Sequence, residues 1–576
     1  MTVATTRAPA RSEPTFLGDP VESEPPRQGW WSRRAPLIAM AAVFISFFAL
    51  YFAIGYHVVV DLHLVNFDSL SRLSHAYFIW WNDPPKLAAI GFIWPPMQTL
   101  VYLPVSLIKP LAVSLAAIPM VSAFFMAGTI LVLDRTLALT EVRWFARWPL
   151  VLVLGLNPMI VWYGANGLGE AVYLFFLTAG VYFLVRWSMV RRTHLLAMVG
   201  LAIGFGILSR YEIIPFAIVI GAGIATLVGG SRRARASQEL EGSLLLYLAP
   251  VAYAGAAWMF FNWLIIGDPI SFLAISPTEA DIGAPAQSTT AIVPPGHDLA
   301  TTVEQVLALN IGLFPLAILV VPPLLLTAAL KRDLMSLILV ALLGTNAVVT
   351  AALFLDSGES NLLQLRYNMR AIPLALMGVG WLYYMWRPKP MRAAIVVATL
   401  AILLASLAGT WRMMQTYPFQ GEENLFLAAL TSGESQEGNI SISGFPNGIG
   451  DEQEIADWVD ANVADDEHVL TDDAQTFGIL LLSGHPERFF DRIDKGDERW
   501  QAALDAPFGT VDYLLISTDK RCPSPCVDLV RERYPDLSTS DPEAGFTVVL
   551  RTKRYLLLEV AEMPPDVDGR LPSGSP

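Results

Sequence analysis

The sequence predicts a polytopic α-helical membrane protein of about eleven transmembrane helices, followed by a C-terminal extracytoplasmic α/β domain. Three observations support this fold class. Hydrophobic residues make up 54% of the 576 residues and charged residues only 16%, whereas a soluble domain has about 25% charged residues. Apolar runs of membrane-crossing length recur up to about residue 411. From Tyr417 onward the chain carries 31 acidic against 12 basic residues, which is typical of a soluble acidic domain and argues against a nucleic-acid partner.

The N-terminal segment is predicted to begin in the cytoplasm. Residues 1–35 are polar and rich in Pro, Ser and Thr, a composition typical of a disordered tail. The first apolar run, from Pro36 to about Val59, is long enough to cross a hydrocarbon core of about 30 Å. No small-residue cleavage site follows this run, so it is predicted to be a retained signal anchor.

Ten further apolar runs follow, each bounded by charges or by Gly and Pro turns. They span residues 113–133, 148–164, 170–187, 194–209, 212–230, 243–266, 306–330, 334–355, 369–386 and 393–411. Lys and Arg collect in alternate connections between the runs, beginning with Arg33 and Arg34. This bias predicts that those connections are cytoplasmic and that the C-terminal domain lies outside. The apolar stretch 95–111 is short and broken by two prolines, so it is predicted to be an interfacial or re-entrant helix.

The pattern predicts four segments along the chain. They are a disordered cytoplasmic tail at 1–35, a transmembrane domain at 36–412 with a first outer loop at 60–112, an extracytoplasmic α/β domain at 413–562 and a disordered tail at 563–576. Within the α/β domain, EIADWVDANV and CVDLVRERY have helical patterns, HVLTDD and VDYLLIST have strand patterns, and FTVVLRTKRYLLLEV reads as a closing hairpin. Its two cysteines, Cys522 and Cys526, either form a small disulfide loop in an oxidising compartment or remain free thiols.

The first outer loop mixes charged and aromatic residues. Its stretch 66–80 is predicted to be a helix on which Asp68, Arg72 and His75 share one face. Asp83 follows in the turn-like sequence NDPPK. The tryptophans of FIWW and FIWPP suit an aromatic belt at the membrane interface, and a solvated loop helix would also carry these charges. Polar groups pressed between spans, however, usually have a function.

A second acid, Glu170, lies in a turn between two spans on the same predicted side. An acid there would also stabilise the N-terminus of the following helix by about 0.3–1 kcal/mol through the helix dipole, so both interpretations are open. Arg210 in SRYE and Arg366 in LRY lie at the outer ends of spans, against the positive-inside bias. Arginine binds phosphate through planar bidentate contacts. The alternative for both arginines is pairing with a neighbouring acid: Glu212, Asp356 or Glu359.

These features together resemble the GT-C glycosyltransferases, polytopic enzymes that take sugars from polyprenyl-phosphate carriers. The resemblance rests on the long first outer loop with an acid just past the first span, on a second acid after an Asn-Pro and small-residue turn, and on the α/β tail. Within the superfamily the chain is similar to the aminoarabinose transferase and protein O-mannosyltransferase (family 39-like) group. The stretches VNFDSLSRLSHAY, DPPKLAAIGFIWPPM, GFGILSRYE, FNWLIIGDPISF and LRYNMRAIPLALMG are similar in character to actinobacterial members.

The resemblance implies an inverting transfer in which the carrier phosphate is the leaving group, so that no general acid is needed. Asp68 would be the base that deprotonates the acceptor hydroxyl, with Asp61 and Asp83 as alternatives, although NDPPK favours a turn role for Asp83. Glu170 would position substrate hydroxyls as the second catalytic residue. Asp68 is followed by Ser69, and Glu170 stands alone where relatives that bind a metal tightly carry two acids. No metal site is therefore predicted, although a weakly bound divalent cation is compatible. The predicted substrate-binding residues are Arg72, His75, Asp83, Arg210 and Arg366.

The predicted function is a glycosyltransferase of the plasma membrane that transfers a hexose or pentose to a cell-envelope glycan, lipid or protein. Mannose and arabinofuranose are the sugars that the actinobacterial resemblance favours. The predicted partners are a polyprenyl-phosphate-linked sugar, an extracytoplasmic acceptor and the lipid bilayer. Two alternatives are a non-catalytic GT-C-like membrane scaffold and a lipid or solute transporter. A transporter typically has an internal repeat and ionisable groups in the middle of its spans, and neither is evident in the sequence.

Overall fold

A computed structural model of the chain describes ten ranges of residues. They are 30–90, 95–229, 236–270, 299–356, 364–418, 420–442, 447–492, 498–518, 528–538 and 545–561. The predicted tails at 1–35 and 563–576 lie outside these ranges except for residues 30–35. Cys522, Cys526 and Glu359 also lie outside the described residues.

The described residues up to Thr416 are almost entirely helical. The helices are α1 Trp30–Gly55, α2 Phe67–Trp81, α3 Met97–Ser106, α4 Lys109–Val113, α5 Ala117–Leu139, α6 Trp144–Gly155, α7 Pro158–Tyr163, α8 Glu170–Val190, α9 His194–Ile207, α10 Ile214–Gly229, α11 Ala236–Ile266, α12 Leu299–Leu313, α13 Leu316–Leu319, α14 Val321–Lys331, α15 Leu334–Asp356, α16 Ala371–Met385 and α17 Lys389–Thr416. A π-helical turn, Tyr56–Asp61, continues α1. Short 3-10 turns at Tyr211–Ile213 and Leu365–Asn368 precede α10 and α16.

All eleven predicted apolar runs are helical. In the described part of the chain, seven helices are long and apolar enough to cross a membrane, and the pair α12 with α13–α14, bent by 106°, brings the number to eight. The other three runs form shorter segments, namely α6 with α7, α9 and α16. The stretch 95–111 forms α3 and the start of α4, which are far shorter than the roughly 20 residues of a full span.

The helices differ in how much of their surface is buried within the protein. The most apolar windows of α5 and α8 are 72% and 61% buried, whereas those of α1 and α11 are only 11% and 17% buried. Side chains such as Leu37, Tyr253 and Val397 are exposed on the outer helices. Because such a continuous apolar surface is not stable in water, α5 and α8 form the centre of a membrane body and the outer helices face lipid.

The first outer loop is fixed to the turn that precedes α8. Ser69 Oγ donates a hydrogen bond to the Asn166 carbonyl at 2.7 Å, and the Tyr102 hydroxyl donates to the Gly167 carbonyl at 2.9 Å. Gly167 has a φ of +76°, and a Cβ there would lie 2.6 Å from the Tyr102 hydroxyl, so a glycine is required. These contacts place the start of α2 beside the start of α8.

In the described residues after α17, the chain forms five short helices and a five-stranded sheet. Its elements are α18 Glu423–Ser432, α19 Gly450–Asn462, β1 Val469–Leu470, α20 Asp473–Ser483, β2 Phe489–Phe490, α21 Glu498–Asp505, β3 Tyr513–Ser517, α22 Leu529–Arg533, β4 Phe546–Arg551 and β5 Tyr555–Val560. The strand order is β2-β1-β3-β5-β4, with β2, β1 and β3 parallel and the β4–β5 hairpin antiparallel. The predicted helices, strands and closing hairpin are confirmed, and apolar side chains of the sheet pack on both faces.

Helix α2 also contacts the C-terminal sheet domain. The Tyr77 hydroxyl donates to the Gly484 carbonyl at 3.0 Å, and Asn82 Nδ2 donates to Asp491 Oδ2 at 2.7 Å. Lys86 Nζ lies 2.9 Å from Asp491 Oδ1 in a buried ion pair. Helix α2 is therefore held both by the membrane body and by the sheet domain.

Candidate functional site

Asp68 lies in the first turn of α2, as the predicted helix 66–80 requires. Asn66 is the N-cap, and its side-chain oxygen accepts a hydrogen bond from the Asp68 backbone N–H at 2.9 Å. The Asp68 carboxylate is about one third exposed, and its Oδ2 lies 3.6 Å from Arg72 Nη2 one turn later. The candidate base is thus held on a capped helix end, with one face open.

Glu170 is the first residue of α8 and is almost completely buried. Its Oε1 accepts a hydrogen bond from Arg210 Nη1 and lies 3.7 Å from Arg366 Nε. Its Oε2 is buried without a hydrogen-bond partner among the described residues. Three of the predicted site residues, which are far apart in sequence, therefore meet at one point.

Two further charged residues complete this arginine cluster. Arg210 forms the predicted pair with Glu212, through two hydrogen bonds of 2.9 Å, in addition to its contact with Glu170. Arg370, which the sequence analysis did not single out, donates through Nε to Asn346 Oδ1 at 3.1 Å. The guanidinium groups of Arg210 and Arg366 lie 5.3 and 5.4 Å from the centre of the Tyr367 ring.

The cluster lines a recess of about 230 Å³, a volume that includes its open mouth. Three arginines face two carboxylates there, so the recess has an excess of one positive charge. Such an imbalance in a partly desolvated place is suited to an anion, and arginine is the residue that binds phosphate in a bidentate manner. The lining residues are Glu170, Tyr173, Leu174, Arg210, Glu212, Arg366, Tyr367, Met369 and Arg370.

His75 and Asp83 lie away from this recess. His75 Nε2 is 4.0 Å from Asp473 Oδ2 of the sheet domain, and burial, with the charge of Arg72 as a second cause, lowers the pKa of His75 to about 4. The ring is therefore neutral at pH 7. Asp83 follows the far end of α2, and its backbone carbonyl accepts a hydrogen bond from Arg499 at 2.6 Å. The structure brings neither residue to Glu170.

Two acids near Asp68 were missed by the sequence analysis. Glu422 and Glu423 follow the last span in GEEN and are buried. Glu422 Oε1 accepts from Asn66 Nδ2 at 3.0 Å, and Glu423 Oε1 accepts from the Tyr163 hydroxyl at 2.7 Å. Adjacent acids just past a span were the available signal, but they were counted as part of the acidic tail.

Burial changes the acidity of both residues. Burial, together with the charges of Glu423 and Asp68, raises the pKa of Glu422 to about 7, against the opposing effects of the Asn66 hydrogen bond and the Arg366 charge. Burial also raises the pKa of Glu423, against the Tyr163 hydrogen bond. Among the described residues, no group of three His, Cys, Asp or Glu side chains is arranged to hold a metal ion.

No family model matches the chain, and no curated protein matches it. Among solved structures, it is similar to ArnT from Cupriavidus metallidurans bound to undecaprenyl phosphate, with a TM-score of 0.51, 13% identity, and coverage of 91% of this chain and 98% of that one. The apo state of ArnT gives a TM-score of 0.51 and 15% identity over 92% and 98% of the two chains. An apo oligosaccharyltransferase from Archaeoglobus fulgidus gives 0.44 and 12% identity over 85% and 70%, which is too low to carry an argument. The chain thus has the fold of ArnT over nearly its whole length, and the predicted polytopic α-helical membrane fold with a C-terminal α/β domain is confirmed.

Proposed function

We propose, from this shared fold and from the charged recess, that the protein is a glycosyltransferase. It transfers one sugar from a polyprenyl-phosphate carrier to an acceptor outside the cytoplasm. The ArnT structure of similar fold is one bound to undecaprenyl phosphate, so a lipid phosphate is the ligand class with which this proposal begins.

The observation that carries the proposal is the net-positive arginine cluster at the ends of membrane helices. Arg210 precedes α10, whereas Arg366 and Arg370 precede α16. A polyprenyl phosphate keeps its chain in the bilayer and its headgroup at the interface, which is the level at which such helix ends lie. Glu170 holds two of the arginines in place through Oε1, and a phosphate would supply the negative charge that the cluster lacks.

The proposed chemistry is a direct displacement. The oxygen of an acceptor hydroxyl attacks the anomeric carbon of the sugar, its proton passes to the Asp68 carboxylate, and the carrier phosphate leaves with the electron pair of the broken bond. The sugar carbon is inverted because a single displacement occurs. Arg210, Arg366 and Arg370 stabilise the charge that develops on the leaving phosphate. Arg72 orients the Asp68 carboxylate.

The orientation and cellular setting belong to the same proposal. The basic connections would be cytoplasmic, the sheet domain and the site would face outward, and the membrane would be the plasma membrane. The division at residues 412 and 413 between membrane body and sheet domain, and mannose or arabinofuranose as the sugar, are further parts of it.

Binding of undecaprenyl phosphate to the full chain in lipid nanodiscs tests the proposal. Arg366→Ala should weaken binding at least about tenfold, because a hydrogen bond to a charged group contributes about 1.5–3 kcal/mol. Arg412→Ala removes an exposed arginine from α17 and serves as the matched control, with unchanged binding. Equal affinity of the wild type and the Arg366 variant, or no binding by the wild type, would refute the lipid-phosphate site.

A further inference from the structure

Glu422 and Glu423 each present an oxygen that the proposed chemistry does not use. The Oε1 atoms are occupied by Asn66 and Tyr163. Both Oε2 atoms are buried and make no hydrogen bond of normal geometry within the described ranges. The backbone N–H groups of Gly421 and Glu423 favour the ionised form of Glu423, so the Oε2 of Glu422 is the less satisfied of the two. A buried carboxylate oxygen without a partner is destabilising, so that of Glu422 above all requires an explanation beyond holding Asn66.

The two acids are connected both to the candidate base and to the arginine recess. On one side, Asn66 links Glu422 to Asp68, because the same amide donates to Glu422 and accepts from the Asp68 backbone. On the other side, the positive charge of Arg366 acts on both acids. A sugar attached to a phosphate at Arg366 and attacked by an acceptor near Asp68 must occupy this intervening space.

The chemistry of the unused atoms specifies their ligand. In its ionised form a carboxylate oxygen accepts hydrogen bonds and cannot donate them, so a ligand that satisfies it brings O–H or N–H groups. The hydroxyls of a sugar are such groups. We propose that Glu422 and Glu423 form a subsite that accepts hydrogen bonds from the hydroxyls of the sugar being transferred. This inference rests on the proposed function, because the arginine recess supplies the anchor for the carrier phosphate.

The raised pKa of Glu422 adds a second property to the subsite. A hydroxyl that donates to Glu422 favours its ionised form, so sugar-dependent affinity should rise as the pH increases through about 7. The groups facing Glu422 are the Asn66 amide from the start of α2, Asp68 on α2, Glu423 on α18 and Arg366 from the turn before α16. The pKa of about 7 identifies Glu422 as a group in this set that titrates near neutral pH.

The test compares bare undecaprenyl phosphate with undecaprenyl phosphate that carries mannose or arabinose, using the full chain in nanodiscs. Glu422→Gln and Glu423→Gln keep the side-chain size and an oxygen for Asn66 or Tyr163, but they replace the unused acceptor by an NH₂ donor. Each variant should bind bare lipid like the wild type and lose about tenfold of the extra affinity for a sugar-carrying lipid. Glu434→Gln, the same change at an exposed acid of the segment after α18, should retain it.

The outcomes separate the subsite from the lipid-phosphate site. Unchanged preference for the sugar-carrying lipid in both variants would overturn the subsite, as would a wild type that shows no such preference for either sugar. Equal weakening of bare and sugar-carrying lipid would assign the acids to the phosphate site or to folding, which also overturns the subsite. Failure of the wild type to bind bare lipid would instead overturn the proposed function, and binding of bare lipid by each variant shows that it is folded.

Discussion

Asp491 and Glu170 are both buried acids beside basic residues, but only Asp491 has a hydrogen-bond partner on each of its two carboxylate oxygens. We call Asp491 the filled acid and Glu170 a half-filled acid. Asp491 Oδ1 pairs with Lys86 and its Oδ2 accepts from Asn82, at 2.9 and 2.7 Å. Glu170 Oε1 meets two arginines, whereas its Oε2 has no partner among the described residues. The filled acid joins two parts of the fold, and the half-filled acid lies in a recess with unbalanced charge. This difference separates a buried charge that holds the structure from one that we propose as part of a ligand site.

The largest effect is expected when the candidate base itself is changed. Asp68→Asn keeps the size and the helix position of the side chain but removes the proton acceptor, so sugar transfer should fall by about 10²–10⁴-fold. Asp83→Asn makes the same change near the far end of the same helix, where the acid is exposed, and should leave turnover within about twofold. Sugar transfer in membranes of a deletion strain complemented with each variant measures both effects at matched protein level. Full turnover of the Asp68 variant would favour the scaffold alternative.

Removing the carboxylate of the filled acid, Asp491, should lower the stability of the protein and should not affect ligand binding. Asp491→Ala leaves Lys86 with its charge buried, and removal of one partner from a buried ion pair typically costs about 3–5 kcal/mol. The expected result is a lower unfolding temperature and faster proteolysis of the segments at the contact between α2 and the sheet domain. The double change Lys86→Met with Asp491→Leu removes both charges and should recover much of the loss. If Asp491→Ala were as stable as the wild type, Asp491 would not hold the structure, and the proposed distinction between filled and half-filled acids would be wrong.

Much of the fold could be predicted from local sequence patterns, but the contacts between residues of the candidate site could not. The helix bearing Asp68 and the strand VDYLLIST were predictable because helical and strand periodicities are local. Glu170, Arg210 and Arg366 were selected from their positions at span ends, yet their meeting depends on how α8, α10 and α16 pack. Glu422 was missed because its partner, Asn66, is 356 residues away. An acid in an acidic tail looks solvated until its partner across the fold is known.

The half-filled acid Glu422 should also affect stability in a pH-dependent manner. Its pKa is raised from 4.5 to about 7 in the folded protein, so the stabilising effect is complete below about pH 4.5 and is lost as the pH rises through 7. Glu422→Gln does not titrate and should therefore gain stability relative to the wild type across this range, by up to about 3 kcal/mol. Unfolding temperatures of both proteins between pH 5 and 8 measure the difference. A difference that does not change with pH would show that folding does not shift the pKa of Glu422.

The smallest effect is expected from the loss of a single neutral hydrogen bond between α2 and the sheet domain. Tyr77 donates its hydroxyl to the Gly484 carbonyl, and its ring is buried between α2 and the sheet domain. Tyr77→Phe keeps the ring and removes only this bond, so the loss should be about 1 kcal/mol, visible as a small decrease in unfolding temperature. Binding of undecaprenyl phosphate should not change, because the hydroxyl bonds to the sheet domain and not to the recess. Weaker lipid binding without a change in stability would mean that the contact between α2 and the sheet domain controls ligand binding. Buried polar groups that hold the fold could then no longer be distinguished from those that bind a ligand.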